Sequence, residues 1–365
     1  MDFEFSPEQE MLRASVRAFL AAEAPLASVR ADYERPAPDT AVWDGLRELG
    51  VIGLLAGENH GGENHGGAGM GMVDAAVVLE ELGRAVCTAP YASSAIGAVS
   101  LADEALLPSL ANGSTTGTVA IFEDGSRYAW QAPAARAARD HDGRWRLDGR
   151  KVHVADATAA DIALVTALDD GGRLGVFATR RFEVEPTPTV DGSRKQARIV
   201  LAGASSERMD LGADVETVVA RTLDRLGVAA ALDGVGAAQR ALELAVEYAK
   251  ERVQFDKPIG AFQAVQHLCA DMLRTVELGR AAGYYACWAL DDAAPEEAHR
   301  AATLARAFAA DAFPQLGGTA IQVFGGIGFT WEHDIHLYYK RLLTVAHALG
   351  TASDHLAELA TLAID

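Results

Sequence analysis

The sequence predicts an α+β fold in which two helical segments flank a β-rich segment. Residues 1–112 and 213–365 carry apolar side chains at helical spacing. Residues 113–212 instead hold short β-rich runs, separated by turns rich in glycine and aspartate. These changes predict three domains: an N-terminal α-helical domain (1–112), a middle β-domain (113–212) and a C-terminal α-helical bundle (213–365).

Composition excludes several classes of function. Half of the 365 residues are hydrophobic, which suffices for a large core. The chain has 32 basic and 51 acidic residues, and a net charge of -19 argues against nucleic acid as a partner. The N-terminus is polar and no apolar run is long enough to span a bilayer, so we expect a cytoplasmic protein without a membrane partner.

The sequence offers no persuasive metal site. The three cysteines lack C-x-x-C spacing, which argues against a zinc site or a disulfide framework. The segment 57–67 duplicates E-N-H-G-G and so holds two histidines. Glycines on both sides favour a flexible loop over preorganised coordination.

Local signals place the elements of the N-terminal domain. Ser6 is expected to cap the first helix. A second helix is predicted over 43–49, ending at Gly50, and a third over 72–82, ending at Gly83.

The middle and C-terminal segments have different periodicities. The β-rich runs predict an antiparallel sheet and lie at 118–122, 144–149, 151–155, 161–168, 175–180 and 197–203. The first C-terminal helix has an apolar stripe formed by Val228, Leu232, Val235, Leu242 and Val246. Its polar side carries Asp233, Arg240, Glu243, Glu247 and Lys250. Further helices are predicted over 264–290 and 296–310, and a final pair around the glycines at 325–328.

Two C-terminal segments resemble the acyl-CoA dehydrogenase family. They are ERVQFDKPIGAFQAVQHLCADM at 251–272 and QVFGGIGFTWEHDIHLYYKR at 322–341. Weaker similarity at 42–50 and 78–85 extends the resemblance over the whole chain in the same order. The resemblance implies an acyl-CoA dehydrogenase-like fold, with a central antiparallel β-domain between helical domains.

The resemblance also implies FAD, whose ADP half the family binds across a subunit interface. The matching positions are Arg252, Phe255, Gln263, Gln322, Gly325, Gly326 and Thr351. The residue types suit this role, because arginine forms a fork for a pyrophosphate and glycine lets backbone approach a phosphate closely. The alternative is a surface arginine and an ordinary turn between helices.

Family members oxidise acyl-CoA thioesters to 2,3-enoyl-CoA and pass electrons to an electron-transfer acceptor. A carboxylate removes the α-proton, while the β-hydride goes to the flavin. The resemblance therefore implies an acyl-CoA thioester as substrate, with a steroid side chain or a fatty acyl group left open.

The catalytic carboxylate of the family is missing at both positions where relatives carry it. The family string Tyr-Glu-Gly-Thr falls on residues 348–351, which puts Leu349 at the glutamate position. The other position, on the first C-terminal helix, is Leu226. The nearest carboxylates are Asp224 and Asp233, and Asp233 is a weak candidate for a relocated base. Its place on the polar side of the helix favours a solvated residue instead.

The β-domain departs from the family pattern where relatives contact the flavin ring. Relatives carry a Thr-Glu then Gly-Ser-Asp loop near the flavin and a G-x-K-x-W-I string against its ring. Here the corresponding segments are AIFEDGSRYA at 120–129 and GRKVHVAD at 149–156. His153 takes the tryptophan position and Ala155 the hydroxyl position. A packed or strand-edge histidine is favoured over a catalytic one.

Three hypotheses remain open. The chain is a subunit of a heteromeric acyl-CoA dehydrogenase, such as a heterotetramer with a second dehydrogenase-like chain, and helps to bind FAD without supplying the base. Alternatively, it is an autonomous flavoenzyme, such as a homo-oligomer, with a relocated base. In the third, it is a non-catalytic scaffold.

Overall fold

A computed structural model describes residues 5–38, 40–57, 67–125 and 128–364. The chain divides by its internal contacts into two compact units. The helical unit comprises Met1–Arg30, Ala76–Cys87 and Gly227–Asp365; the sheet unit comprises Ala31–Ala75 and Thr88–Leu226. The α+β class is confirmed, whereas the domain boundaries at 112 and 212 stay a prediction. Most of the duplicated E-N-H-G-G loop lies outside the described residues.

Helices account for most of the chain on both sides of the strands. In chain order they are α1 (Pro7–Glu23), α2 (Leu26–Glu34), α3 (Thr40–Glu48), α4 (Met72–Arg84), α5 (Val99–Leu101), α6 (Leu107–Ala111), α7 (Val215–Glu251), α8 (Gln263–Asp292), α9 (Pro295–Phe324), α10 (Ile335–Val345) and α11 (Ala352–Ile364). A π-helical segment, Ala92–Ala98, precedes α5, and a 3-10 turn, Gly325–Phe329, follows α9. Ser6 caps α1 as predicted, because its side chain accepts a hydrogen bond from the Gln9 N–H in a capping box.

The central segment folds into one seven-stranded sheet. Its strands are β1 (Gly117–Ala120), β2 (Arg136–Arg139), β3 (Trp145–Ala155), β4 (Ile162–Leu168), β5 (Leu174–Thr179), β6 (Glu183–Thr187) and β7 (Gln196–Arg208). The runs predicted at 144–149 and 151–155 are a single strand, β3. Most pairings are antiparallel, but β1 and β2 each pair with β4 in parallel.

Pairing of β5 with both β4 and β7 closes a ring of strands around an apolar interior. Phe177, Leu147 and Ile199 lie fully buried inside it. Each comes from a different strand, so alternation along the strands points these side chains inward. The sheet unit therefore has its own hydrophobic core.

In the helical unit, a close crossing joins α4 to α7, and it corrects the prediction for Gly83. The third helix does not end at Gly83 but continues to Arg84. A Cβ on Gly83 would lie 1.9 Å from the Asp233 carbonyl oxygen, and one on Gly236 would lie 1.8 Å from the Glu80 carbonyl oxygen. Both glycines are therefore required by the contact between the backbones, and neither acts as a helix stop.

Ion pairs flank this crossing. Arg84 donates to both carboxylate oxygens of Glu243, at 2.7 and 2.6 Å. Burial raises the pKa of Glu243, but the hydrogen bonds and charge of Arg84 outweigh it and bring the pKa to about 2. On the neighbouring helix α8, Arg280 bonds Glu80 at 2.9 Å. The charged residues therefore fix the register of α4 between α7 and α8.

Substitution of Gly83 tests this crossing. Gly83→Ala should lower the free energy of unfolding by about 1–3 kcal/mol, because the new methyl group has no room against Asp233. Gly318→Ala, also within a helix but with nothing within 4 Å of the added Cβ, is the matched control and should be neutral or mildly stabilising. Urea unfolding measures both, and equal stability of the two variants would contradict the tight crossing.

Candidate active site

The C-terminal ends of α7 and α9, where the two motifs begin, lie against each other. The Arg252 N–H bonds the Tyr248 carbonyl oxygen at 2.8 Å, which places Arg252 one helical turn beyond Tyr248. The Tyr248 ring packs on Phe324, with ring centroids 4.6 Å apart. Phe324 is the last residue of α9 and directly precedes Gly325. The contact brings the arginine of one motif close to the glycines of the other.

A tight hairpin follows Arg252 and projects an aromatic side chain. Strands β8 (Val253–Gln254) and β9 (Lys257–Pro258) are joined by Phe255 and Asp256, which both have positive φ. Two consecutive residues with positive φ define the type I′ turn that two-residue hairpins favour. Phe255 is 86% exposed. An apolar ring displayed in this way is available to another molecule.

Most of the predicted ADP-binding groups are accessible. Arg252, Gln263, Gln322 and Gly326 are exposed, and Gly325 is half-buried. Within the described ranges, no carboxylate lies in ion-pair distance of Arg252. A Cβ added to Gly325 or Gly326 would meet nothing within 4 Å, so the backbone there is open to a ligand. An exposed guanidinium and open glycine backbone are both groups that suit a pyrophosphate.

Thr351 lies on another element. It precedes α11, and its hydroxyl and N–H both bond the Asp354 carboxylate, at 2.7 and 2.9 Å. Helix α11 is tied to α9 near Arg306, whose guanidinium lies 3.4 Å from Glu358. Arg306 lies 16 residues before Gln322, about 24 Å along a helix. Capping of α11 thus accounts for Thr351, and its role in FAD binding stays a prediction.

The loop between α10 and α11 holds Leu349, the predicted position of the base, in a strained backbone conformation. Leu349 has φ +60, a conformation that costs a bulky residue energy and requires support from its surroundings. The next residue, Gly350, has φ +143, and a Cβ there would lie 2.9 Å from the His355 ring. His355 is buried in the first turns of α11, and burial lowers its pKa. The uncharged ring thus packs beneath the loop that presents Leu349.

Asp233 is not the solvated residue that its neighbours in sequence predict. It is 3% exposed, and both carboxylate oxygens accept from Nη1 of Arg341, at 2.8 and 3.1 Å. Arg341 is fully buried and also donates to the Cys87 carbonyl oxygen at 3.0 Å. The prediction failed because α4 and α10 cover the part of α7 that carries Asp233. A carboxylate committed to a buried guanidinium is poorly suited to remove a proton from substrate.

The second predicted position for the base, Leu226, packs against the π-helical segment. The Leu226 side chain lies 3.3 Å from the position of an added Cβ on Gly97, in the π-helical segment. Its neighbour Arg225 donates to the Ser100 hydroxyl at 2.9 Å. Asp224 is buried. Neither of the two predicted base positions, Leu349 and Leu226, therefore holds a carboxylate.

The sheet unit holds a buried cation that sequence reasoning missed. Lys151 is fully buried and donates to the Ile121 carbonyl oxygen at 3.0 Å and to the Glu123 carboxylate at 2.8 Å. Burial lowers the pKa of Lys151 to about 8. The lysine of the G-x-K string could have predicted this buried cation, because a lysine between inward-facing strand residues requires a hydrogen-bonding or charged partner. His153, two residues on, is exposed and has φ +54.

The fold agrees with comparisons to known proteins. The family model for the acyl-CoA dehydrogenase N-terminal domain matches residues 6–107, and the model for the C-terminal domain matches residues 217–361. The chain belongs to the acyl-CoA dehydrogenase family, a family of flavoprotein oxidoreductases that act on CH–CH groups. Among the described helices, none is both long and apolar enough to cross a membrane.

Individual relatives are similar over nearly the whole chain. Acyl-CoA dehydrogenase IpdE2 of Mycolicibacterium smegmatis is 32% identical, over 97% of this chain and 98% of its own. A variant of the Tcur3481–Tcur3483 steroid acyl-CoA dehydrogenase is 29% identical, over 98% of each chain, with a TM-score of 0.85. The ChsE4–ChsE5 complex of Mycobacterium tuberculosis is 25% identical, over 100% of this chain and 99% of its own, with a TM-score of 0.87. A more distant acyl-CoA dehydrogenase from Bacillus anthracis, 20% identical, is complexed with FAD.

Loss of Asp233 should lower the stability of the fold, and should not abolish catalysis while leaving the fold intact. Asp233→Asn leaves the Arg341 charge buried without its counter-ion, which should cost about 3–5 kcal/mol of stability. Glu247→Gln, on a carboxylate whose side chain is 57% exposed, is the control and should change stability by less than about 0.5 kcal/mol. Urea unfolding distinguishes them. An Asp233→Asn chain of unchanged stability that had lost a measurable activity would restore Asp233 as the base.

Proposed function

We propose that this chain is the subunit of a heteromeric acyl-CoA dehydrogenase that helps to bind FAD but does not supply the catalytic base. The partner is a second acyl-CoA dehydrogenase-like chain, which carries the glutamate. The assembled enzyme introduces an α,β double bond into an acyl-CoA thioester and passes the electrons to an electron-transfer acceptor.

The observation that carries this proposal is the absence of a carboxylate at both base positions, Leu349 and Leu226. Leucine cannot accept a proton, and the α-proton of a thioester is only weakly acidic. A positioned base contributes on the order of a hundred- to ten-thousand-fold to such a transfer. The relocated-base hypothesis loses its named candidate, because Asp233 is committed to Arg341.

A role in FAD binding is supported by the accessible groups at the ends of α7 and α9. Arg252 would hold the pyrophosphate, and the open backbone at Gly325 and Gly326 would approach it. Gln263 and Gln322 would offer hydrogen bonds to the adenosine. FAD, when bound, supplies the hydride acceptor of the family's reaction. This chain's residues would orient the cofactor from outside the chemical step.

A partner chain is supported by apolar side chains exposed in the same region of the helical unit. Phe255 is 86%, Phe329 is 78% and Trp331 is 66% exposed, although Lys340 lies 3.8 Å from the Trp331 ring. Aromatic residues are enriched in protein interfaces. The ChsE4–ChsE5 relative is a complex of two chains, which favours a heteromer here over a homo-oligomer.

A steroid-derived acyl group is the substrate class that the relatives favour. The Tcur3481–Tcur3483 relative is a steroid acyl-CoA dehydrogenase, and its likeness extends over the full length of this chain. A fatty acyl thioester is the alternative. Assays should therefore include both classes.

Replacement of Arg252 tests the FAD site. Arg252→Ala should weaken FAD retention roughly 30- to 150-fold, because a bidentate charge-assisted contact contributes about 2–3 kcal/mol. Arg274→Ala, on an arginine whose side chain is 70% exposed, is the matched control and should bind FAD like wild type. Equilibrium dialysis of the chain, or of its complex, measures retention. Equal retention in the two variants would place the site elsewhere.

The missing base predicts how the isolated chain behaves with substrate. Mixed anaerobically with added FAD and with fatty acyl-CoA and steroid-CoA thioesters, it should show little or no flavin bleaching. Leu349→Glu should give weak activity at best, because a base also needs correct geometry relative to its substrate. Leu349→Gln matches the shape of glutamate without its basicity and should give none. Rapid bleaching by the wild-type chain alone would refute the subunit assignment.

A further inference from the structure

The start of the loop that follows β1, residues 121–123, is hydrogen-bonded to β3. Lys151 of β3 bonds the Ile121 carbonyl oxygen, and the Val152 N–H bonds the Phe122 carbonyl oxygen at 2.9 Å. The Glu123 carboxylate accepts from the Ala134 and Ala135 N–H groups at 2.6 and 3.0 Å, which joins the start of the loop to its end. Burial raises the pKa of Glu123, but the hydrogen bonds from Lys151 and these amides outweigh it, so the pKa is lowered. This charged hydrogen-bond network thus holds both ends of the loop against β3.

Within this loop, Tyr128 returns onto the strand. Its ring stacks on His153, with centroids 5.9 Å apart and an interplanar angle of 25°. The Phe122 ring packs edge-on against Tyr128, with centroids 5.2 Å apart. Phe122 is itself buried. The three rings form one cluster between the loop and β3.

Two backbone features orient the rings of Tyr128 and His153 towards each other. The pairing of β3 with β7 shifts register between Lys151 and Val154, so His153 lies in a β-bulge. Bulges redirect a side chain and often occur beside active sites. His153 and Tyr128 both have positive φ, at +54° and +69°. Two strained non-glycine residues in one contact indicate a conformation that the surrounding structure imposes.

The spacing leaves no room for a third planar ring between Tyr128 and His153. A ring inserted between two others needs about 7 Å, twice the van der Waals contact distance of ~3.5 Å. The centroids of Tyr128 and His153 are 5.9 Å apart. By the resemblance, relatives place the flavin ring against the position of His153, next to the loop that Tyr128 occupies here. The residues of this segment therefore do not fit a flavin ring.

We propose that this chain closes its own flavin-ring site through the stacking of Tyr128 on His153. The inference rests on the proposed function and deepens it: this chain supplies only groups for the ADP half of FAD. The ring must then be held by the β-domain of a different chain. A homo-oligomer of this chain has sites for the ADP half of FAD but none for the flavin ring. This explains physically why a second, different chain is needed.

Saturation-transfer NMR with separate halves of the cofactor tests the inference on the full chain. FMN carries the ring without ADP, and ADP carries the other half. Wild type should transfer no saturation to the FMN ring protons but should transfer it to ADP. Tyr128→Gly removes the ring and suits the positive φ, so the chain should fold and gain transfer to FMN. Tyr128→Phe keeps the stacking ring and should behave like wild type.

Each outcome has one meaning. FMN transfer by wild type that is lost in His153→Ala would overturn the inference, because the ring face would then be open. Failure of a folded Tyr128→Gly chain to gain FMN transfer would also overturn it. ADP transfer that is absent from wild type, or unchanged in Arg252→Ala, would instead count against the proposed FAD role. The FMN comparison would still decide whether Tyr128 covers the ring face.

Discussion

The buried ion pair between Asp233 and Arg341 is the interaction on which the helical unit depends. Arg341 of α10 reaches Asp233 of α7 and the carbonyl oxygen of Cys87, which follows α4. At the same level, Gly83 brings α4 onto the backbone of Asp233. One guanidinium therefore joins three segments that are distant in sequence. Because the ends of α7 and α9 carry the predicted FAD contacts, their placement relies on this packing.

Much of the fold could be predicted from sequence because its signals are local. The long helices have clear apolar stripes, and Ser6 and Gly50 mark helix boundaries as expected. Strands β2 and β6 were missed because they are short and mostly exposed, so alternation of apolar residues is weak there. The parallel pairings with β4 arise from tertiary arrangement, which strand patterns do not encode.

The errors at Gly83 and Asp233 share one physical origin. A glycine near the end of an apolar run is the usual signal of a helix stop, and an aspartate among charged residues is the usual signal of a solvated face. Both rules assume that one face of the helix meets solvent. Here α4 crosses α7 where Gly83 meets Asp233, so the glycine serves a close approach and the aspartate is buried. The periodicity of apolar residues within α7 does not reveal that α4 and α10 pack over Asp233.

The three parts of the predicted active site differ in what this chain keeps. At the ends of α7 and α9, Arg252 and the glycines keep the features that a pyrophosphate requires. At β3, His153 and Tyr128 contact each other, and at the loop after α10 a leucine stands at the predicted position of the base. Retention of one part together with loss of the other two is consistent with a subunit that completes another chain's site.

Flavin stoichiometry tests this account most directly. The chain would be purified alone and together with a glutamate-bearing acyl-CoA dehydrogenase-like partner, and FAD released by denaturation would be counted against total protein chains. The account predicts firmly held FAD only in the mixed assembly, at about one FAD for every two chains, since one chain of each pair supplies the ring face. A homo-oligomer of this chain that holds one FAD per chain and oxidises an acyl-CoA thioester would contradict it.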